Sequence, residues 1–167
     1  QNIKLDSLKI LSESQSSSVS NQQIDLINKL CYELRVSYPD LVTLYTQQGL
    51  SLSKKNNYKI GECDANITLG LLYWLAPEID KSLDYGMKAL HLSDSLSYKK
   101  GAMEANLLLG LVYNQLSDFK KAEDFTKSGN KLKYSLMPLT RIHLNSDRTI
   151  GELSPTGSMQ YVYIFSA

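Results

Sequence analysis

Residues 58–73 read YKIGECDANITLGLLY, and residues 98–113 read YKKGAMEANLLLGLVY. The two stretches lie forty residues apart and are identical at nine of sixteen positions. An internal period of this length is typical of repeat proteins, in which one supersecondary unit stacks on the next. A chain of 167 residues is also short enough to form a single stacked domain.

Each repeat is predicted to be a pair of helices. In the second copy apolar residues recur at helical spacing, namely at Ala105, Leu108, Leu109, Val112 and Leu116. Gly70 and Gly110 lie at the same place in the two copies, although a glycine costs about 1 kcal/mol of helix propensity relative to alanine. We therefore expect another helix to cross closely at both glycines. The second helix of each pair follows a loop, which holds Pro77 in one copy and Ser117-Asp118 in the other.

A weaker copy precedes these two. Tyr45 lies forty residues before Tyr85, and Pro39 is suited to the first turn of a second helix. The pattern therefore predicts three helix pairs over residues 21–136, which is about the minimum for a stable stack. Residues 3–13 form an amphipathic segment that is expected to be a short leading helix covering the first pair.

The tail after Leu136 does not continue the helical pattern, because Pro138 interrupts it. Residues 140–145, 149–153 and 160–165 are rich in β-branched or aromatic residues, which predicts a three-stranded meander. An alternative is that residues 161–167 begin a membrane span. We thus expect a helical repeat domain at 1–137 and a small irregular or β tail at 138–167.

The repeat resembles the tetratricopeptide repeat (TPR) family, an all-α superhelix. The matching residues of the second pair are Leu69, Gly70, Tyr73, Ser82, Tyr85 and Ala89, and those of the third pair are Leu109, Gly110, Tyr113, Ala122, Phe125 and Gly129. Asn66 and Asn106 stand where the family has tryptophan, the terminal proline is absent, and the period exceeds the usual 34 residues.

The resemblance implies a concave groove, lined by the first helix of each pair, that binds a protein or peptide. Carried over by position, the groove residues are Tyr32, Arg35, Asp64, Ile67, Leu71, Trp74, Leu75, Glu104, Leu107, Leu111, Asn114 and Gln115. Trp74 is the expected anchor, since aromatic residues dominate interface energies. The alternative for Trp74 is that it packs on a neighbouring helix or on the leading segment.

The composition argues against several other functions. The formal net charge of +1 gives no electrostatic footprint for nucleic acid, and no apolar run is long enough to span a membrane. The spacing of His91, His143, Cys31 and Cys63 matches no metal motif, and the cysteines are expected to be free thiols. Two S-x-x-K matches lack the partner motifs of acyl-transfer enzymes. We therefore expect no catalytic residue, cofactor or metal.

The sequence thus predicts a non-catalytic interaction module. The long repeat and the opening QNIKLDSLK resemble sensory ectodomains of Bacteroidetes signalling proteins, such as histidine kinases. This resemblance implies an exported protein and the sensory or scaffolding part of a larger one. The alternatives left open are a free-standing adaptor and, less favoured, an enzyme with its site in the tail. A homodimer is also left open.

Overall fold

The computed structural model describes residues 19–76 and 78–136, together with the backbone of two strands at residues 150–153 and 159–162. The chain divides into two compact units, with the boundary after Leu136. The first unit contains the six described helices: α1 (Asn21–Leu34), α2 (Pro39–Lys55), α3 (Lys59–Leu75), α4 (Ile79–Ser95), α5 (Lys99–Gln115) and α6 (Phe119–Leu136).

The helix bounds reproduce the period of the sequence. Helices α2, α4 and α6 begin at residues 39, 79 and 119, and α3 and α5 begin at residues 59 and 99. The weaker first copy is therefore a true helix pair, as predicted. Residues 19–76 and 78–136 contain no strand.

Helices α2 and α4 end with the same backbone geometry, so the chain enters α3 and α5 in the same way. Asn57 and Ser97 follow these helices with positive φ angles of 51° and 53°, in the left-handed region that ends a helix. The next residue, Tyr58 or Tyr98, then donates its backbone N–H to Ser53 or Ser93 at 2.8 Å. This six-to-one hydrogen bond caps the helix and places a tyrosine at the entrance of the next repeat.

The helices of the first unit form two layers. Each helix packs against the next along the chain, and the first helices α1, α3 and α5 also contact one another in sequence. The second helices α2, α4 and α6 make no such mutual contacts among the described residues. The first helices therefore form the inner layer of the curve. The fold is an all-α helical repeat superhelix of three pairs, as the sequence predicts.

The glycines of the motif lie where the sequence places them, at close helix crossings. A Cβ at Gly70 would meet Leu108 of the next repeat, and a Cβ at Gly86 would meet Leu109. The hydroxyl of Ser82 donates to the carbonyl of Gly70 at 2.8 Å, which joins α3 to α4. Small residues in both helices thus admit the leucines of the following repeat.

Both ends of the stack carry polar residues at stacking positions. Lys29 is exposed on α1, whereas Thr68, which is 39 residues later, and Leu108, which is 40 residues after Thr68, are buried. On α6, the exposed Thr126 stands where α4 has the buried Gly86. Polar outer faces of this kind keep the terminal units of a solenoid soluble.

The second unit contains an antiparallel pair of strands, β1 (Ile150–Leu153) and β2 (Met159–Val162), with Ile150 opposite Val162. These strands fall within two of the three segments predicted as β, except that β2 begins one residue early. The third predicted strand, at residues 140–145, lies outside the described residues, as does the leading segment at residues 3–13.

Candidate partner-binding groove

Eleven of the twelve residues predicted to line a groove are exposed or half-buried on the inner layer. Four of them are exposed, namely Leu75, Leu111, Asn114 and Gln115. Seven are half-buried, namely Tyr32, Arg35, Asp64, Leu71, Trp74, Glu104 and Leu107. The remaining one, Ile67, is only 1% exposed.

Ile67 belongs to the core of the stack, so it offers no surface to a ligand in this conformation. It packs with Cys63, Ala89 and Ala105, which are fully buried. Its counterpart Leu107 lies against Gly129 of α6. A Cβ at Gly129 would be only 2.9 Å from the Leu107 side chain. The small residues Ala89 and Gly129 on the second helices thus leave space in which the side chains of Ile67 and Leu107 pack. Ala89 and Gly129 were the sequence signal for this packing.

Trp74 is partly accessible to solvent, but its indole nitrogen is enclosed. The residue is half-buried at the carboxyl-terminal end of α3. Its Nε1 atom is shielded from solvent and has no hydrogen-bond partner. An enclosed donor without an acceptor lowers stability, so this indole is not optimised for packing alone.

Tyr32 and Arg35 connect α1 to the middle of the inner layer. The Arg35 guanidinium lies 4.0 Å from the centre of the Tyr32 ring and also donates to the Tyr32 carbonyl. The Tyr32 ring packs against the buried cluster that contains Cys63 and Ile67. The first repeat therefore contributes an aromatic residue and a cation to the surface beside α3.

Two half-buried carboxyl groups, Asp64 on α3 and Glu104 on α5, lie on this inner layer. Tyr98 donates its hydroxyl to Asp64 Oδ2 at 3.4 Å, whereas Asp64 Oδ1 is enclosed and has no hydrogen-bond partner. Burial raises the pKa of both carboxyl groups, and the nearby Lys100 ammonium opposes that rise. The negative charge on Asp64 also raises the pKa of Glu104.

The same tyrosine–carboxylate contact occurs between the first two repeats. Tyr58 donates its hydroxyl to Asp25 Oδ1 at 2.7 Å, and Asp25 is exposed. Sequence reasoning did not assign Asp25, Tyr58, Tyr98 or Lys100 to the inner layer. The recurrence of Tyr58 as Tyr98 at the start of the two matching stretches was the signal that could have found the tyrosines.

The cysteines, histidines and acidic residues of residues 19–76 and 78–136 were the candidates for a metal site. No group of three or more His, Cys, Asp or Glu residues there is arranged to hold a metal ion. Cys31 and Cys63 are free and buried, and His91 is exposed. His143 lies outside the described residues.

A hollow of about 370 Å³ lies on the last helix pair, away from the predicted groove residues. It is lined by Asn106, Tyr113, Lys121, Asp124, Phe125 and Ser128. Tyr113 and Phe125 correspond to Tyr73 and Tyr85, which pack in the buried cluster formed with the first repeat. The hollow thus lies on α5 and α6, the last helix pair of the described residues.

The described helices include none with the length and apolar character that crossing a membrane requires. No protein-family model matches the chain, and no curated protein matches it either.

Proposed function

We propose that this chain is a non-catalytic module that binds a protein or peptide along its inner helical layer, in the manner of tetratricopeptide arrays. One observation carries the proposal: the inner layer keeps large apolar and aromatic side chains accessible. Leu75 is 44% exposed and Leu111 is 40% exposed, and the half-buried Tyr32, Leu71 and Trp74 lie on the same three helices. A surface with aromatic and leucine anchors suits a helical or extended peptide.

The setting that we propose is the sensory or scaffolding part of a larger, exported signalling protein, such as a histidine kinase. The support for this setting is the resemblance of the repeat and of the opening residues to such ectodomains. The sequence of the parent gene beyond Ala167 tests it. A membrane span followed by a kinase or cyclase domain supports the setting, and a stop codon directly after the tail favours a free-standing adaptor.

The binding proposal is tested with a matched pair of leucine variants. Leu111 is 40% exposed on α5 of the inner layer, and Leu44 is 59% exposed on α2 of the outer layer. A library of random displayed peptides is selected on the wild-type protein, and the enriched peptides are synthesised and titrated. Leu111→Glu places a charge in the groove, whereas Leu44→Glu makes the same change on an outer helix.

We expect Leu111→Glu to weaken peptide binding at least about tenfold, which corresponds to 1.4 kcal/mol, and Leu44→Glu to leave it unchanged. Circular dichroism should show both variants folded, because both positions are solvent-accessible. Equal loss in both variants, or loss only in Leu44→Glu, contradicts the assignment of the groove. A selection that enriches no peptide contradicts the proposed peptide-binding function.

A further inference from the structure

The contact between repeats 2 and 3 contains a pair of acidic side chains in an unfavourable setting. Helices α3 and α5 pack directly on each other, and Cys63 Sγ lies so close to Gly101 that a Cβ there would be 2.9 Å from the sulfur. Asp64 follows Cys63 on α3, and Glu104 is three residues after Gly101 on α5. Both residues therefore lie near this tight contact between α3 and α5, and the charge of Asp64 reaches Glu104.

We propose that Asp64 and Glu104 make the junction between repeats 2 and 3 pH-sensitive, so that it tightens when the pair takes up protons and loosens when both groups are ionised. The junction lies in the inner layer, so its change alters the proposed groove. The inference itself concerns the stability of the stack and does not depend on any ligand.

The hydrogen bonds around Asp64 support this inference. A buried carboxylate is stabilised when two or three donors reach its oxygens. Asp64 has one such contact, the long 3.4 Å hydrogen bond from Tyr98, and its enclosed Oδ1 has none. The ionised form thus lacks the donors that would offset its loss of hydration, whereas the neutral form carries no charge to be desolvated.

The charged groups around the pair do not remove this penalty. Lys100 at the start of α5 acts on both carboxyl groups, and Arg35 of α1 acts on Glu104. Both cations favour ionisation, but Asp25 of α1 opposes the ionisation of Asp64, and Asp64 opposes that of Glu104. Burial remains the largest influence on each group.

The other helices packed on α3 and α5 add little nearby charge. Helix α4 packs against both, and its charged residues, together with His91, are all exposed: Asp80, Lys81, Asp84, Lys88, His91 and Asp94. The charged residues of α2, which packs on α3, are also exposed: Asp40, Lys54 and Lys55. On α6, which packs on α5, Lys133 is half-buried and the other charged residues are exposed. On α3 itself, the exposed Lys59 pairs with the half-buried Glu62 at 2.9 Å.

The sign of the pH dependence follows from the raised pKa of each carboxyl. Below the ordinary carboxyl pKa of about 4, both groups are protonated in the folded and the unfolded chain. As the pH rises, the unfolded chain loses these protons first, so the folded state loses stability until its own carboxyls have ionised. The pair therefore stabilises the stack in acid, and this contribution is lost as the pH rises through the raised pKa values.

Asp25 supplies a matched control. It lies on α1 and accepts a tyrosine hydroxyl as Asp64 does, but it is exposed and its hydrogen bond is shorter, at 2.7 Å. The same Asp→Asn change at Asp25 and at Asp64 therefore separates burial from the loss of a tyrosine–carboxylate contact.

The experiment is urea unfolding between pH 3 and pH 8 of the wild type, Asp64→Asn, Glu104→Gln, the double variant and Asp25→Asn. At pH 7 we expect the double variant to have an unfolding constant several-fold smaller than the wild type, and at pH 3, below the ordinary carboxyl pKa values, a nearly equal one. Asp25→Asn should keep most of the wild-type pH dependence, because burial and not the Asp25 charge is the largest influence on Asp64. A variant effect that is the same at every pH, or an equal effect of Asp25→Asn, overturns the proposal.

A measurement on the wild type keeps the inference testable if a variant misfolds. Carboxyl ¹³C chemical shifts of Asp64 and Glu104 are followed by NMR across the same pH range. We expect both groups to titrate above the ordinary carboxyl pKa of about 4. Titration of Asp64 and Glu104 at the ordinary carboxyl pKa overturns the proposal.

Discussion

Leu108 occupies the space into which a side chain at Gly70 would project. An ideal Cβ on Gly70 would lie 2.5 Å from Leu108 Cδ2, and Leu108 is 1% exposed. Gly70 belongs to α3 and Leu108 to α5, so this contact joins repeats 2 and 3. Glycine lowers the helix propensity at this position, but it leaves the space that Leu108 of the next repeat fills.

Replacing Gly70 by leucine should lower the free energy of unfolding by at least about 1–3 kcal/mol, because it overpacks the contact with Leu108. Urea denaturation followed by circular dichroism measures the change. Gln47→Leu on α2 is the control, since Gln47 is exposed and its replacement should change stability by less than about 0.5 kcal/mol. An unchanged Gly70→Leu protein would contradict the crossing at this glycine.

Tyr73 and Tyr113 provide a second comparison, between the interior and the end of the stack. The ring of Tyr73 stacks on that of Tyr85 with 5.5 Å between the ring centres, and Lys81 Nζ lies 5.0 Å from the Tyr73 ring centre. The ring of Tyr113 stacks on that of Phe125 with 5.3 Å between the centres, and Lys121 Nζ lies 5.0 Å from the Tyr113 ring centre. Their local contacts are therefore nearly equal. Only Tyr73 and its partner pack against the cluster that joins repeats 1 and 2.

We expect Tyr73→Ala to lower the free energy of unfolding by about 3 kcal/mol and Tyr113→Ala to lower it less. The reason is that the first change removes a ring from an interface between repeats, whereas the second enlarges a hollow that is already open. Thermal and urea unfolding of both variants give the comparison. A larger loss for Tyr113→Ala would show that the end of the stack is packed more tightly than the interior.

The sequence predicts the fold well because the repeat indicates both where the helices cross and where they begin. Gly70 and Gly110 make sense only at close crossings, and the forty-residue offset fixes where α4 and α6 begin once α2 is placed at Pro39. Periodicity of apolar residues is a local property, so it can be read without knowing which helices meet.

The solvent exposure of the proposed groove residues could be predicted only in part, because the exposure of a residue depends on contacts outside its own helix. Ile67 occupies a position that the tetratricopeptide resemblance predicts to face outward, but in the structure it packs in the core with Ala89. The burial of Asp64 depends on Tyr98 and on α5, which lie in the next repeat. A polar residue in a helical pattern gives no sign of such burial.

The thiols of Cys31 and Cys63 should be unreactive in the folded protein. Burial raises the pKa of Cys31 to about 11, although a hydrogen bond with Thr46 opposes this rise. Burial, together with the charges of Asp64, Glu104 and Glu62, raises the pKa of Cys63 to about 12. Because the thiolate is the reactive form, neither thiol should react at pH 8.

Ellman's reagent at pH 8 tests this expectation. The native protein should release almost no thionitrobenzoate, and the protein in concentrated urea should release two equivalents per chain, one for each cysteine. Rapid reaction of one equivalent in the native protein would contradict the expectation. It would show that the helix packing around Cys31 or around Cys63 opens in solution.

Trp74 allows its two possible roles to be separated by substitution. Trp74→Phe keeps an aromatic ring but removes the enclosed N–H, which has no partner in the structure. An unpaired buried donor costs about 1–3 kcal/mol, which offsets the area lost with the smaller ring, so stability should be nearly unchanged. Trp74→Ala removes the ring as well and should lower the melting temperature. If Trp74→Phe were as destabilising as Trp74→Ala, the indole N–H would have an acceptor in solution, such as an ordered water.

Fluorescence then shows which face of this residue is accessible, because Trp74 is the only tryptophan in the chain. Its ring is half-buried, so we expect acrylamide to quench the native protein less than the protein unfolded in urea, but still measurably. A peptide selected on the groove should reduce this quenching, and it should bind Trp74→Phe better than Trp74→Ala because an aromatic face is the proposed anchor. Two results would show that Trp74 is a packing residue: an indole already shielded from acrylamide in the free protein, or equal peptide binding by the two variants. Leu111 and its neighbours would then be the anchors of the surface.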